Sequence, residues 1–505
     1  MTKGILISDV KQILEKNNLI KDFKIIDDLK IKNISCDSRD VGKDTLFFCK
    51  GENFKSEYLT QSIEEGCICY ISEKKYDNSN VSYFIVTNIL KAMAKISSSF
   101  YHNPSEDIEL VGITGTKGKT TTTYFLKNIL ECNNNHVGML SSIEVDTGKG
   151  RKEAHLTTPE SIEVHKLFAE MRDNNIKEAV VEVSSQSYKR DRLYGIEFEY
   201  GVFTNIAEDH ISAIEHPTFE DYLECKIQFL KHCKTVIINK NTDYLDKILS
   251  QIPDKKIIFY GTDNSADYYV KDIEKDEIGF KFSVVNEKKG YVGQFKIKMA
   301  GRFNIENALA SIVIAKLKNI DDESINNALE NTTIAGRMNI YQKEGVTVIV
   351  DYAHNGYSFT KLFESIKTDY PNRRIISVGG IVGGKAYNRR KEFGEIVGKY
   401  SDYIYLTADN PQFESVQAIC MDIAKHIKNK TKYEIVEDRK EAIKQAILNA
   451  KQGDIVVLLA KGGEHYMQIN NESVKYEGDL NIAKKVLKNK GTKKKKPSYC
   501  WLHKI

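Results

Sequence analysis

GITGTKGKTTTT, residues 112–123, decides how this chain folds. The run before it, IELVGI from Ile108, is apolar and rich in β-branched residues and predicts a buried strand; TTTYFLKNILE, which overlaps its end, predicts a helix. Strand, glycine turn and helix is the order that lets backbone N–H groups close around a phosphate. Lys119 can then reach the terminal phosphates, and the Thr120 hydroxyl can hold Mg²⁺. Gly115, Thr116, Lys117, Gly118, Lys119, Thr120 and Thr121 are therefore the candidate nucleotide-binding residues. A glycine turn with a chance lysine is the competing reading, and the strand and helix on either side weigh against it.

Outward from this loop, EAVVEV, GVFTNI, TVIIN and KIIFY alternate with helical stretches, as in a mostly parallel sheet with covering helices. Residues 1–105 mix short strand-like runs (DTLFFC, CICYIS, SYFIV) with helical ones and read as a small α/β domain. Beyond residue 335, VTVIVD, RIISVG, YIYLTAD and DIVVLLA again alternate with helices, which predicts a doubly wound third domain. The expected division is 1–105, 106–335 and 336–488, with a basic tail at 489–505. For that tail, solvated disorder is the first reading and an anchor for anionic surfaces the second.

The 505-residue length fits about three domains at roughly 100–200 residues each. Hydrophobic content of 41% and charged content of 29% describe an ordinary globular protein. The net charge of +4, from 74 basic and 70 acidic side chains, owes much to Lys493–Lys496, so composition makes no case for nucleic acid. Nine scattered cysteines without CxxC spacing point to a reducing compartment, with neither a disulfide framework nor a zinc site. No signal peptide or membrane span is evident, so a cytoplasmic protein is expected.

The loop is more particular than a general phosphate loop: its GTKGKTT resembles the GTxGKTT of the Mur ligase superfamily. LTTPE (156–160), EVSSQS (182–187), TNIAEDH (204–210), GRFNIENALA (301–310), AGRM (335–338), VDYAH (350–354) and DNP (409–411) resemble further blocks in the same order, over roughly residues 30–485. The resemblance implies a three-domain α/β architecture with a central P-loop ATPase-like domain, and ATP-dependent amide-bond formation through an acyl phosphate. Within the superfamily, the form most similar adds a diamino acid to UDP-N-acetylmuramoyl-L-alanyl-D-glutamate in peptidoglycan precursor synthesis. Its uridine-side DSR block is matched by Asp37, Ser38 and Arg39; folylpolyglutamate synthases lack that domain.

The same resemblance implies roles residue by residue. Thr157, Thr158, Ser184 and Arg192 would contact the nucleotide-sugar substrate, and Arg190 stands where a Gln is common. Glu182 and His210 would hold a second Mg²⁺, with Thr120 serving the first. Lys226 aligns with a lysine that the family carbamylates into an anionic metal ligand; the competing reading is a surface lysine on an amphipathic helix. Lys119, Lys226 and His210 are the expected catalytic set. Asn304, Asn307, Arg337, Asp351 and His354 would complete the ATP site.

In the third domain, Arg390 would meet the incoming amino acid's carboxylate. The upstream GGIVGGKAYN departs from the family's GCGGDRD. Asp409, Asn410, Pro411 and Gln412 fill the specificity block, which reads DNPR in ligases that take meso-diaminopimelate. Without that arginine a distal carboxylate loses one charge-assisted interaction of about 1.5–3 kcal/mol, or about ten- to a hundredfold, which favours L-lysine. AKGGEHY (460–466) resembles GKGHExY with Ala460 and Gly463 substituted, and keeps Glu464 where a carboxylate meets the distal amine. The expected partners are thus small molecules, with the chain acting as a monomer on ATP and Mg²⁺. A sister ligase for another carboxylate and a catalytically silent ATP-binding scaffold are the rivals; the scaffold predicts damage at Lys119, Glu182, His210 or Lys226, and none is seen.

Overall fold

A computed structural model describes residues 4–490 except 52, 77–79, 134, 155, 210, 213, 214, 277, 278, 386, 429, 430 and 471. The candidate ligand His210 and the basic tail from residue 491 lie outside the described residues. The chain forms two compact bodies, one running to Tyr269 with Val285–Gly290 and Asn307–Ala328, the other comprising Val270–Val284, Tyr291–Glu306 and Leu329 onward.

The first body holds two sheets. Five strands in the order Ile20–Lys24, Ser82–Val86, Cys67–Ser72, Thr45–Phe48 and Asn33–Ser35 form the first; only the Ile20–Lys24 edge runs antiparallel. Its interior strands are apolar on both faces, because helices such as Ile89–Phe100 cover one side and Ser56–Glu64 the other.

The second sheet places Glu109–Thr114 between Glu178–Glu182 and Phe198–Phe203, all parallel, with Cys233–Asn239 and Lys256–Gly261 beyond. The chain leaves Glu109–Thr114 toward one edge of the sheet and later builds the other edge, so this strand lies at the switch of winding direction. Its carboxyl end is the place in such a sheet where helix N-termini diverge and a ligand can enter. The Gly-rich loop occupies it. Phe168, Phe198, Phe203 and Phe229 fill the core around this sheet.

The other body is built on six strands ordered Asn339–Lys343, Val346–Val350, Ile455–Leu458, Ile375–Gly379, Tyr403–Leu406 and Lys432–Ile435, parallel after the first. Two apolar clusters cover its faces, as a doubly wound sheet requires. The residues that follow the carboxyl ends of its strands are Asp351, Gly380, Asp409 and Ala460 with Lys461. Arg439 is fully buried beneath them, paired with Asp479 at 2.6 Å and donating to the carbonyls of Ala408 and Leu459. No helix among the described residues is long and apolar enough to cross a membrane.

Candidate active site

The loop between strand Glu109–Thr114 and helix Lys119–Leu130 is shaped by two glycines. A Cβ on Gly115 (φ +145°) would lie 1.9 Å from Thr204 Oγ1, and one on Gly118 (φ +89°) would lie 2.3 Å from Asn307 Oδ1. Only a backbone without side chains can pass this close to its neighbours. Lys119 Nζ folds back to donate to the carbonyls of Gly115 (3.0 Å) and Thr116 (3.1 Å). Lys117 is held by Asn205, whose Oδ1 accepts from its N–H at 2.9 Å, and its ammonium lies 3.3 Å from Asp209. The helix behind the loop points its N-terminal N–H groups and positive dipole end toward the loop, as polyphosphate binding needs.

Beside this loop lies a buried carboxylate, that of Glu182, with hydroxyls around it. Glu182, at the end of its strand and only 1% exposed, accepts from the Thr120 hydroxyl at 2.9 Å and from the Ser142 N–H at 2.6 Å. Ser142 Oγ is also 3.0 Å from Thr120 Oγ1. No basic side chain among the described residues pairs with Glu182. A buried carboxylate supported only by uncharged donors fits a divalent cation, which would supply the missing positive charge.

Lys226, on helix Phe219–Lys231, is buried rather than displayed on the surface. Its Nζ donates to the Gly115 carbonyl at 2.8 Å, the same oxygen that Lys119 uses, and lies 4.7 Å from the Tyr222 ring. Burial, reinforced by the charge of Lys119, drives its ammonium well below the ordinary lysine range. Attack on CO₂ to form a carbamate needs the neutral amine, and a lowered pKa enlarges that fraction. Tyr222 packs against it and meets Thr116 Oγ1 at 3.0 Å, tying the lysine's helix to the phosphate loop.

On the far side of Glu182, Thr158 donates to the Glu182 carbonyl at 2.9 Å and to Ser184 Oγ at 3.1 Å. Arg192 reaches the Thr158 carbonyl at 2.9 Å and pairs with Glu160 at 2.6 Å, and Lys50 of the first sheet takes the other Glu160 oxygen at 2.6 Å. Thr158, Ser184 and Arg192 therefore form one connected group with Glu182. Thr157 is next to it in the chain, half-buried. Arg190 is apart, exposed and bonded to Gln186 Oε1 at 3.1 Å. Ser38 is half-buried in a turn where Asp37 and Arg39 pair; that guanidinium holds the Asp37 carboxyl at about 2.

In the second body, Asn304 is buried and donates to the Ala300 carbonyl at 2.7 Å. Asp351 accepts from the N–H groups of Met338 and Ala353, both at 2.8 Å. His354 Nδ1 lies 2.8 Å from the Tyr352 carbonyl, and the Arg337 guanidinium covers the Tyr352 ring at 4.5 Å. Arg390 is buried, bound to both oxygens of Glu414 (2.8 and 2.9 Å), with its buried Nε lacking a partner among the described residues. Gln412 is pinned at φ +55° by backbone bonds to Gln468 on one side and Asn470 on the other. Glu464 accepts from Tyr352 Oη at 3.1 Å and from Lys461 Nζ at 2.5 Å. Burial, opposed chiefly by Lys461, pushes the Asp409 carboxyl up to about 6.

The Mur ligase middle domain matches residues 113–315, and the Mur ligase glutamate ligase domain matches residues 336–462. The UDP-N-acetylmuramoyl-L-alanyl-D-glutamate--L-lysine ligase of Enterococcus faecalis is 36% identical over 500 residues, covering 95% of this chain and 98% of that protein. The chain belongs to the Mur ligase family. A UDP-N-acetylmuramyl-tripeptide synthetase of Lactobacillus delbrueckii subsp. bulgaricus is 38% identical over 505 residues, covering 94% of this chain and 97% of that protein. A solved UDP-N-acetylmuramoyl-L-alanyl-D-glutamate--2,6-diaminopimelate ligase has the same fold at 22% identity, with a TM-score of 0.66 over 96% of this chain and 99% of that one. As a Mur ligase, the chain is an enzyme that forms amide bonds.

Several residues of this ligase's site escaped the sequence reading. Ser142 and Tyr222 sit in no motif, and only the fold brings them to Thr120 and Thr116; Glu160 stands inside the LTTPE block, but its pairing with Arg192 comes from the fold. Lys461 carried a signal, standing inside a block already matched. His216, fully buried between Ser185 Oγ (2.9 Å) and Asp221 Oδ2 (2.6 Å), gave none.

Proposed function

We propose that this Mur ligase adds L-lysine to UDP-N-acetylmuramoyl-L-alanyl-D-glutamate, consuming ATP with Mg²⁺, in the cytoplasm and as a monomer. In this reading residues 1–105 take the uridine end, 106–335 the ATP and 336–488 the amino acid. ATP supplies the phosphoryl group that turns the substrate carboxylate into an acyl phosphate, which the amine of the amino acid attacks. The chain's own residues do the rest. Gly115–Thr121 cradle the phosphates, with Asn307 against Gly118; Lys119 neutralises charge; Thr120, Glu182 and a carbamylated Lys226 hold metal. Thr158, Ser184 and Arg192 orient the nucleotide-sugar substrate.

The observation that carries the choice of amino acid is the cluster of acceptors beside Glu464. Asp409, Asn410 and Glu464 already surround one buried alkylammonium, that of Lys461. Position 412 supplies no cation for a distal carboxylate. Acceptors of this kind, with no cation beside them in the specificity block, suit a side chain ending in an amine better than one that adds a carboxylate. The test is phosphate release with UDP-muramoyl dipeptide against L-lysine, ornithine, lanthionine and meso-diaminopimelate. L-lysine should turn over best; better turnover of meso-diaminopimelate overturns the assignment, and no release with any amino acid overturns the substrate class.

A further inference from the structure

Lys461 has 0% exposed surface, although lysine is among the residues least often buried. It follows strand Ile455–Leu458 at the carboxyl edge of the six-stranded sheet. Its ammonium is bound on two sides: 2.5 Å from Glu464 Oε2 and 2.9 Å from Asn410 Oδ1, with Asp409 Oδ1 at 3.9 Å and the Tyr466 ring centroid at 5.1 Å. Asn410 Oδ1 also accepts from the Gln468 N–H at 2.9 Å, so the same amide fixes the hairpin whose backbone holds Gln412. Glu464 remains partly exposed, with 18% of its side chain open to solvent.

We propose that Lys461 is a positioning residue for amino-acid selection: its buried ammonium locks Asn410 of the specificity block to Glu464, fixing the carboxylate that receives the amine of the incoming diamino acid. The inference rests on the functional reading above. Any buried ammonium needs acceptors; those of Lys461 come from the specificity block and from Glu464, so the same pairing that satisfies the charge ties these two segments together. Removing the charge while keeping the stem, as in Lys461→Met, leaves Glu464 with the Tyr352 hydroxyl as its one remaining side-chain support among the described residues. The specificity block is then untied from it.

The experiment is steady-state kinetics of the full chain with each substrate varied in turn. In Lys461→Met the KM for L-lysine should rise roughly ten- to a hundredfold, as expected for a lost charge-assisted contact. The KM values for ATP and for the UDP-muramoyl dipeptide, and kcat at saturating lysine, should stay within about threefold. Lysine binding should also lose its acidic limb at higher pH. Asp409 faces Lys461 and Arg439, which lower its pKa, and Glu464 and Asp479, which raise it; removing Lys461 shifts it upward. A lysine KM within threefold of wild type, or an equal rise in all three KM values, overturns the proposal.

Should Lys461→Met fail to fold, Asn410→Ala cuts one leg of the same lock and should raise the lysine KM alone; an unchanged value overturns it equally. If the wild-type ligase prefers another diamino acid, the functional reading fails, and the same KM comparison with that amino acid still decides the role of Lys461.

Discussion

Replacing Gly118 by alanine should cripple the use of ATP while leaving the amino-acid site intact. The residue has φ +89° and ψ −17°, where an L side chain costs about 1–2 kcal/mol. The added methyl would lie 2.3 Å from Asn307 Oδ1 and 3.2 Å from its Cγ. Asn307 is buried and cannot swing into water, so it must leave its position, at about another 1–2 kcal/mol for the disturbed hydrogen bonding. The sum, about 2–4 kcal/mol, falls on the loop that would receive the phosphates. If it is expressed in nucleotide binding, kcat/KM for ATP drops by roughly thirtyfold to nearly a thousandfold, and the KM for the amino acid does not move.

The assay is ADP release with ATP varied at saturating dipeptide and amino acid, alongside a melting curve. Gly150→Ala is the control. Its φ is +103° but nothing lies within 4 Å of the added methyl, so it should lose only about 1 kcal/mol of stability and no ATP affinity. A Gly118→Ala enzyme that melts normally and keeps kcat/KM for ATP within threefold of wild type would refute the steric argument.

Four further outcomes are expected. Gln412→Arg should gain measurable turnover of meso-diaminopimelate, up to about ten- to a hundredfold over wild type, because a cation then faces the distal carboxylate; competition between the two amino acids measures it. Glu182→Gln should raise the Mg²⁺ concentration needed for half-maximal activity by at least about tenfold, since the amide loses the charge and one of the two accepting oxygens; a metal titration reads this directly. Burial, with the Lys95 charge as a lesser cause, depresses His165 from 6.5 to about 3, and both ring nitrogens lack partners among the described residues. Its neutral form therefore contributes stability that is complete above pH 6.5 and declines as the pH falls toward 3, on the order of 2 kcal/mol by pH 5. His165→Leu should melt higher and show a flatter acid limb in thermal scans. Ala460, at φ +78° where the related motif has glycine, should gain about 0.5–1 kcal/mol on replacement by glycine, visible as a rise in melting temperature.

The reading from sequence reached farthest where chemistry is local. A phosphate loop needs its glycines, lysine and threonine within a few residues, and strand and helix patterns flank it, so Gly115–Thr121 could be placed by inspection. The parallel sheets were legible for the same reason, because strands covered on both faces leave continuous apolar runs such as VVLLA. Contacts between distant segments were not legible. Ser142 reaches Glu182 across 40 positions, and Tyr222 reaches Thr116 across 106. Neither has a spacing that periodicity could expose. Lys226 shows the limit from the other side: on paper it sits on an amphipathic helix with polar neighbours, and only the packing of that helix against the phosphate loop buries its amine.

The buried pair of Arg439 and Asp479 also bears on how the enzyme comes into being. The guanidinium ties the carbonyls beside Asp409 and Ala460 to a helix, Asp479–Lys490, that lies 40 positions downstream. Before Asp479 leaves the ribosome, Arg439 would be an uncompensated charge in the apolar floor beneath the specificity block, and that floor has no reason to close. A nascent chain can therefore assemble its phosphate loop long before it can discriminate amino acids, and clipping ahead of Asp479, which also strips Ile482, Ala483 and Leu487 from the six-stranded sheet, should abolish selection while the sheets of the first body survive.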